Sequence, residues 1–300
     1  MPELANTAGG KLVFDDEGRG RPLLLVHGWA THADFFASQR TALAREFRVI
    51  SLDLAGHRRS PASNAPLTIQ HLADDLIALC RHLSLEDTVA VGWSMGAMAV
   101  WSALLAGAGA HINGHVVIDM SPRILNGPDW QLGLKGSQAS YQHPGGLLPR
   151  TEAAMRNHWR AYAPRIARRI FASNLETERS ALLQWAEREI AGADGNVMAG
   201  LWASMIAQDY RADLPRLKTP TLVVHGARSQ LYGPDTAAFL AATLPQAQTR
   251  AFSRSGHAPH LEEPDAFNRM VADFARAGSR AAVTGHATQS DEKNIKGKKS

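Results

Sequence analysis

The chain has 300 residues, 45% hydrophobic and 20% charged, which suits a folded globular protein and excludes a fibrous or wholly disordered one. No apolar run reaches the roughly 18 residues of a membrane span, and the first ten residues lack the basic start and apolar stretch of a secretory signal. The formal charge of +4 is mostly local: Arg280, Lys293, Lys296, Lys298 and Lys299 against Asp291 and Glu292 place +3 on residues 279–300, leaving the body at +1.

Residues 279–300 are polar without apolar periodicity, so a disordered, solubilising basic tail is expected there. No nucleic-acid motif accompanies it. The single cysteine, Cys80, has no partner for an internal disulfide, consistent with a reducing, cytoplasmic setting. Cys80 also falls in step with Leu72, Leu76 and Leu83 on one helical face, as a small core residue would.

Along the chain, Lys11 to Phe14 is a short strand, and Leu23 to Val26 is an apolar run of the kind buried on both faces of a parallel sheet. Asp34 to Phe47 has helical spacing. Val49 to Leu52 is the next strand and runs into a polar loop, Asp53 to Ser60. Thr68 caps an amphipathic helix reaching Leu83. Val89 to Val91 and Val116 to Ile118 are two further buried strands.

Strand–helix alternation then stops. From Arg123 to Leu217 helical segments dominate: 152–162, a restart at Pro164, 178–191 and 196–210. Alternation resumes with Thr221 to Val224, a helix over 235–244, a strand over 248–252 and a helix over 265–277. This pattern predicts an α/β fold with a mostly parallel, doubly wound sheet, interrupted by a helical lid. The expected divisions are core over 1–122, lid over 123–217, core again over 218–278 and tail over 279–300.

The chemistry centres on Gly92-Trp93-Ser94-Met95-Gly96, which lies between the strand ending at Val91 and an Ala-, Met- and Leu-rich helix over 97–105. Strand, Gly-x-Ser-x-Gly, helix is the context of a nucleophile elbow. A serine on so tight a turn leaves no room for a Cβ two positions to either side, so glycine occupies both places. Ser94 needs a base. In a doubly wound sheet, ligands bind outside the carboxyl ends of strands. His257, in Ser255-Gly256-His257-Ala258-Pro259, follows the last strand and is the expected base; His260 is a weaker competitor. The two histidines lack further ligands at metal-binding spacing, and no P-loop or dinucleotide fingerprint is present, so neither metal nor cofactor is expected.

These residues resemble the α/β-hydrolase superfamily over nearly all of 11–277. The resemblance rests on His27-Gly28-Trp29, Asp53-x-x-Gly56-His57-x-x-Ser60, the pentapeptide at Ser94 and Gly256-His257. It implies a serine hydrolase working through an acyl-enzyme, with an oxyanion hole from the backbone N–H groups of Met95 and Trp29. Most members carry the acid in a Gly-x-x-Asp pattern, but here that position is Ser229. A branch of cytosolic esterases carries it one strand earlier, which implies Asp119. Asp235 is the alternative, although Gly-Pro-Asp-Thr before a helix reads as a cap. Asp119→Asn is therefore expected to lower turnover by orders of magnitude, and Ser229→Ala is not. Arg58 replaces a usual glycine in the loop after Asp53, and that loop is given a structural role.

The motifs look closest to the pimeloyl-[acyl-carrier protein] methyl ester esterase group. That implies a carboxylesterase acting on small-molecule esters of short to medium acyl chain, with Trp29, Met120 and Trp159 contacting substrate. Residues 150–169 carry Arg150, Arg156, Arg160, Arg165, Arg168 and Arg169 against Glu152, so an acidic acyl-carrier protein is a possible partner. A solvated basic face, offset by Glu176, Glu178, Glu187 and Glu189, is the plainer reading. Carbon–carbon bond hydrolysis and perhydrolysis use the same residue set. A ligand-binding protein on this scaffold would not need all three catalytic candidates.

Overall fold

The computed structural model describes residues 2–62, 66–137, 147–173 and 180–278, with the side chains of 147–150 and 180 left aside. The expected tail over 279–300, together with Glu176 and Glu178, lies outside the described residues.

Eight strands form one sheet: β1 (Glu3–Ala5), β2 (Lys11–Gly18), β3 (Pro22–Val26), β4 (Arg48–Asp53), β5 (Thr88–Trp93), β6 (Ile112–Ile118), β7 (Thr221–Gly226) and β8 (Ala247–Phe252). Their spatial order is β1-β2-β4-β3-β5-β6-β7-β8. β2 runs antiparallel to β1 and β4; every other pairing is parallel. The apolar runs explain the centre. All six residues of β5 are buried, as are five of six in β4 and six of seven in β6, as a sheet covered on both faces requires.

The helices are α1 (Ala37–Leu43), α2 (Ile69–His82), α3 (Met95–Leu105), α4 (Leu147–Ile170), α5 (Ser180–Ala191), α6 (Gly195–Ile206), α7 (Pro234–Thr243) and α8 (Pro259–Glu262), followed by a final helix over 264–278. Thr68 caps α2 as expected, its hydroxyl accepting from the N–H of His71. Cys80 is fully buried among apolar side chains, which pushes its thiol up to about 12.

The structure departs from expectation in three places. The first strand is longer and has a partner, β1, because Asp15 to Gly18 pair with β4 despite their polarity. The helix expected over 34–47 divides into a 3-10 turn, Ala33–Phe36, and the short α1. α4 leaves helical geometry at His158 (φ −138°, ψ 34°), upstream of Pro164, and then runs on through the proline. Proline lacks the N–H for its own turn and crowds the carbonyl of Arg160, four residues before it, whereas the kink lies two residues further upstream.

Candidate active site

Five strand ends converge. β5 carries Ser94, β6 next to it carries Asp119, the loop after β7 carries Ser229, the loop after β8 carries His257, and β3 on the other side of β5 carries His27-Gly28-Trp29. This is the carboxyl edge of the sheet, where a doubly wound fold places its ligand.

Ser94 sits in left-handed backbone geometry (φ 53°, ψ −116°) directly before α3. Only an over-determined turn holds a non-glycine residue there. The flanking glycines show why. A Cβ on Gly92 would lie 2.7 Å from the backbone of Ala97, and one on Gly96 would lie 2.2 Å from the Val26 carbonyl. The Ser94 N–H donates to the Ile118 carbonyl at 3.0 Å, which ties the turn to β6. Its hydroxyl faces Met120 Sδ at 3.9 Å.

Asp119 is also left-handed (φ 46°) and buried. Its Oδ2 lies 2.6 Å from His257 Nδ1 and accepts from Ser229 Oγ at 2.6 Å. A buried carboxylate needs such partners. The other candidates lie elsewhere. Asp235 is exposed in the first turn of α7. His260 is fully buried, stacks on Phe36 (ring centroids 4.6 Å apart) and, among the described residues, has no hydrogen-bond partner on either nitrogen. Burial holds its pKa well below 6.5.

His257 is fixed from several sides. Its N–H donates to the Ile170 carbonyl at 2.7 Å, and its carbonyl accepts from Trp93 Nε1 at 2.9 Å. The buried Glu262 accepts from the N–H groups of Gly256 and Ala172, joining the loop to the residues after α4. Neither Trp93 nor Glu262 needs to touch a substrate to place the ring.

A pair of histidines that the motifs did not single out for this purpose shapes the Trp29 turn. His27 Nε2 accepts from the Leu54 N–H at 2.9 Å, so Nδ1 carries the proton and donates to the Gly28 carbonyl at 2.8 Å. His57 Nε2 accepts from the Ala30 N–H at 3.3 Å, and Nδ1 donates to the Ala55 carbonyl at 3.1 Å. Burial lowers both: His27 well below 6.5, His57 to about 4. Both stay neutral, as their acceptor roles require. The adjoining loop is structural, as expected. Asp53 accepts from the Ala33 N–H at 2.8 Å and from Arg59 Nε at 2.5 Å. Arg58 takes a left-handed φ of 39°, which explains why a glycine is usual there.

Ser94, His257, Trp29 and Trp93 line one cavity of about 270 Å³. Leu134, Met155, Ile166, Ile170, Trp202, Met205 and Leu231 supply most of its apolar wall. The expected substrate contacts divide. Trp29 lines this cavity, whereas Met120 and Trp159 lie behind it. Met120 is wedged between Ser94 Oγ and Tyr232 Oη. Trp159 gives its indole N–H to the Ile190 carbonyl and packs edge-on against Trp29 at 5.6 Å. Among the described residues, no cluster of three or more His, Cys, Asp or Glu side chains is arranged to hold a metal ion. No described helix is long and apolar enough to cross a membrane.

Residues 21–264 match the family described as alpha/beta hydrolase fold, and the chain belongs to it. It is a hydrolase of the esterase type. Relatives by sequence include the AB hydrolase superfamily protein YisY of Bacillus subtilis (strain 168), 25% identical over 89% of this chain and 96% of that protein. Another is the pimeloyl-[acyl-carrier protein] methyl ester esterase of Stenotrophomonas maltophilia (strain K279a), 28% identical over 89% of this chain and 98% of that protein. Among solved structures, an esterase from Exiguobacterium antarcticum superposes with a TM-score of 0.83 at 19% identity, covering 91% of this chain and 98% of its own.

Proposed function

We propose that the protein is a carboxylesterase that cleaves short to medium acyl esters through an acyl-enzyme on Ser94. The observation that carries this reading is the shared cavity of Ser94 and His257, with Asp119 Oδ2 2.6 Å behind His257 Nδ1. Asp119 holds the ring with Nδ1 protonated, so Nε2 is free to act as base. The Ser94 hydroxyl turns from Met120 sulfur, a weak acceptor, to the imidazole and loses its proton as its oxygen attacks the ester carbonyl. The tetrahedral oxyanion is met by the N–H groups of Met95 and Trp29. His257 then passes the proton to the leaving alkoxide. In the second half it takes a proton from water as the water oxygen bonds to the acyl carbon, and it returns that proton to Ser94 Oγ as the bond from Ser94 to the acyl group breaks and the acid leaves.

The same reading makes 123–217 a lid between core segments 1–122 and 218–278. It is supported by α4 and α6 lining the cavity and by hydrogen bonds that tie α6 and α5 to residues just after β3. Trp29 Nε1 donates to the Met198 carbonyl at 2.9 Å, and His32 pairs with Glu189 at 3.0 Å.

A second reading, hydrolysis of a methyl ester carried on an acyl-carrier protein, is favoured by the relatives of that name. The lid's charge supports it less than the raw count of arginines, because Arg156 pairs with Glu152 and Arg168 with Glu187. The test is hydrolysis of nitrophenyl esters from acetate to laurate together with fluorophosphonate labelling. Both activities are expected in the native chain and neither in Ser94→Ala. Labelling that survives Ser94→Ala overturns the assignment. A carrier-linked ester turned over faster than the small ones, with a rate falling as salt rises, favours the second reading.

A further inference from the structure

We propose that the site selects esters bearing a carboxylate at the end remote from the scissile bond; this rests on the hydrolytic role assigned above. Two cations belong to the cavity. The cationic side chains among its lining residues are Arg165 and Arg169, and no aspartate or glutamate among the described residues lines it. They lie one helical turn apart on α4, so they share a face and can meet one planar anion together.

Their partners set them apart from their neighbours. Arg156 and Arg168, on the same helix, are each neutralised by a glutamate. Arg165 has no ion pair or hydrogen bond among the described residues. Arg169 reaches only the carbonyls of Lys135 and Gln230, at 3.3 and 3.4 Å. Those are neutral acceptors at long distance, and among the described residues no carboxylate pairs with the guanidinium. The buried acid of the site, Asp119, is already engaged by His257 and Ser229.

Both arginines are exposed at the cavity's rim, while Met155, Ile166, Met205 and Leu231 make its wall apolar. An aliphatic chain ending in a carboxylate matches that sequence of surfaces: ester at Ser94, methylenes against the wall, anion at the rim. A neutral chain of the same length buries the same apolar surface and leaves both cations without a counter-charge. At about 270 Å³ the cavity lies near the small end for ligand sites, which suits a short chain.

The anion can sit on either half of the ester, and isosteric pairs separate the two. Acid release is followed by pH-stat for monomethyl adipate against methyl hexanoate, and for 2-carboxyethyl butanoate against propyl butanoate. In at least one pair the charged ester is expected to exceed its neutral isostere in kcat/KM by about tenfold at low salt. The responsive pair names the half that carries the anion. Added salt should reduce the ratio. Arg165→Gln with Arg169→Gln should bring it towards one, while Arg160→Gln, whose side chain does not line the cavity, leaves it in place. Charged esters no better than neutral ones in the native chain overturn the inference, as does a ratio that survives the double substitution. If the neutral esters react and the ratio is flat, only the selectivity falls; if hydrolysis persists in Ser94→Ala, the hydrolytic assignment falls with it.

Discussion

Ser229→Ala isolates a contact that residue spacing does not reveal. The hydroxyl of Ser229 donates to Asp119 Oδ2 at 2.6 Å, the same oxygen that meets His257 Nδ1. It also accepts from the N–H groups of Leu231 and Tyr232 at 3.2 and 3.3 Å. A hydrogen bond to a charged group contributes about 1.5–3 kcal/mol. Part of that is recovered, because a carboxylate with one donor fewer holds imidazolium more strongly. Turnover of 4-nitrophenyl butanoate is therefore expected to fall about tenfold, through kcat rather than KM. The two N–H groups lose their acceptor, which costs about 1–3 kcal/mol in stability and lowers Tm by several degrees. The assay is steady-state kinetics with thermal unfolding on the same preparation. An unchanged kcat refutes the argument that the hydroxyl holds the acid in place. A fall as deep as that of Asp119→Asn gives Ser229, not Asp119, the orienting role.

Further outcomes follow from the same geometry. Asp119→Asn should lower kcat by roughly three to four orders of magnitude with Tm little changed, and Ser229→Asp in that background should recover part of the loss by returning a carboxylate close to Nδ1. A fall of less than tenfold in Asp119→Asn would remove the acid assignment. Gly96→Ala places a Cβ 2.2 Å from the Val26 carbonyl, a backbone atom that cannot step aside, so it should abolish activity and sharply reduce the yield of folded protein. Wild-type kcat in that variant would contradict the elbow argument. Acid should destabilise the fold. Buried His57 and His115 are lowered to about 4 and about 3, whereas an unfolded histidine titrates near 6.5. The unfolded chain therefore binds more protons as pH falls through 6.5 towards 4, and by pH 5 each residue removes about 2 kcal/mol. A Tm that does not move between pH 7 and pH 5 is the contrary result.

The parts of the site that could be read from sequence are those fixed by local spacing. Gly92 and Gly96 flank Ser94 because of contacts within one turn, and the apolar runs of β3, β5 and β6 signal burial on both faces without reference to any neighbour. Asp119 was expected from the family resemblance, with serine at the usual acid position, and it lies 2.6 Å from His257 Nδ1. What escaped depends on contacts between distant segments. Ser229 meets Asp119 across 110 positions. His27 and His57 each satisfy the loop of the other, which no one-dimensional pattern announces. β1 and the end of β2 are polar edge segments, recognisable only by their pairing. Trp159 was expected at the substrate from the family resemblance. The kink at His158 and the claim of Ile190 on its indole N–H turn it instead behind Trp29. The arginines of α4 are alike in sequence; only packing separates the pair at the cavity from those held by glutamates.

The most direct measurement is intact-mass spectrometry of the protein quenched in acid during turnover of 4-nitrophenyl butanoate, with peptide mapping of any adduct. The account predicts one butanoyl group on the peptide containing Ser94, its occupancy rising where deacylation is slowed by Asp119→Asn. An adduct on another residue, or turnover in Ser94→Ala at the native rate, would contradict it.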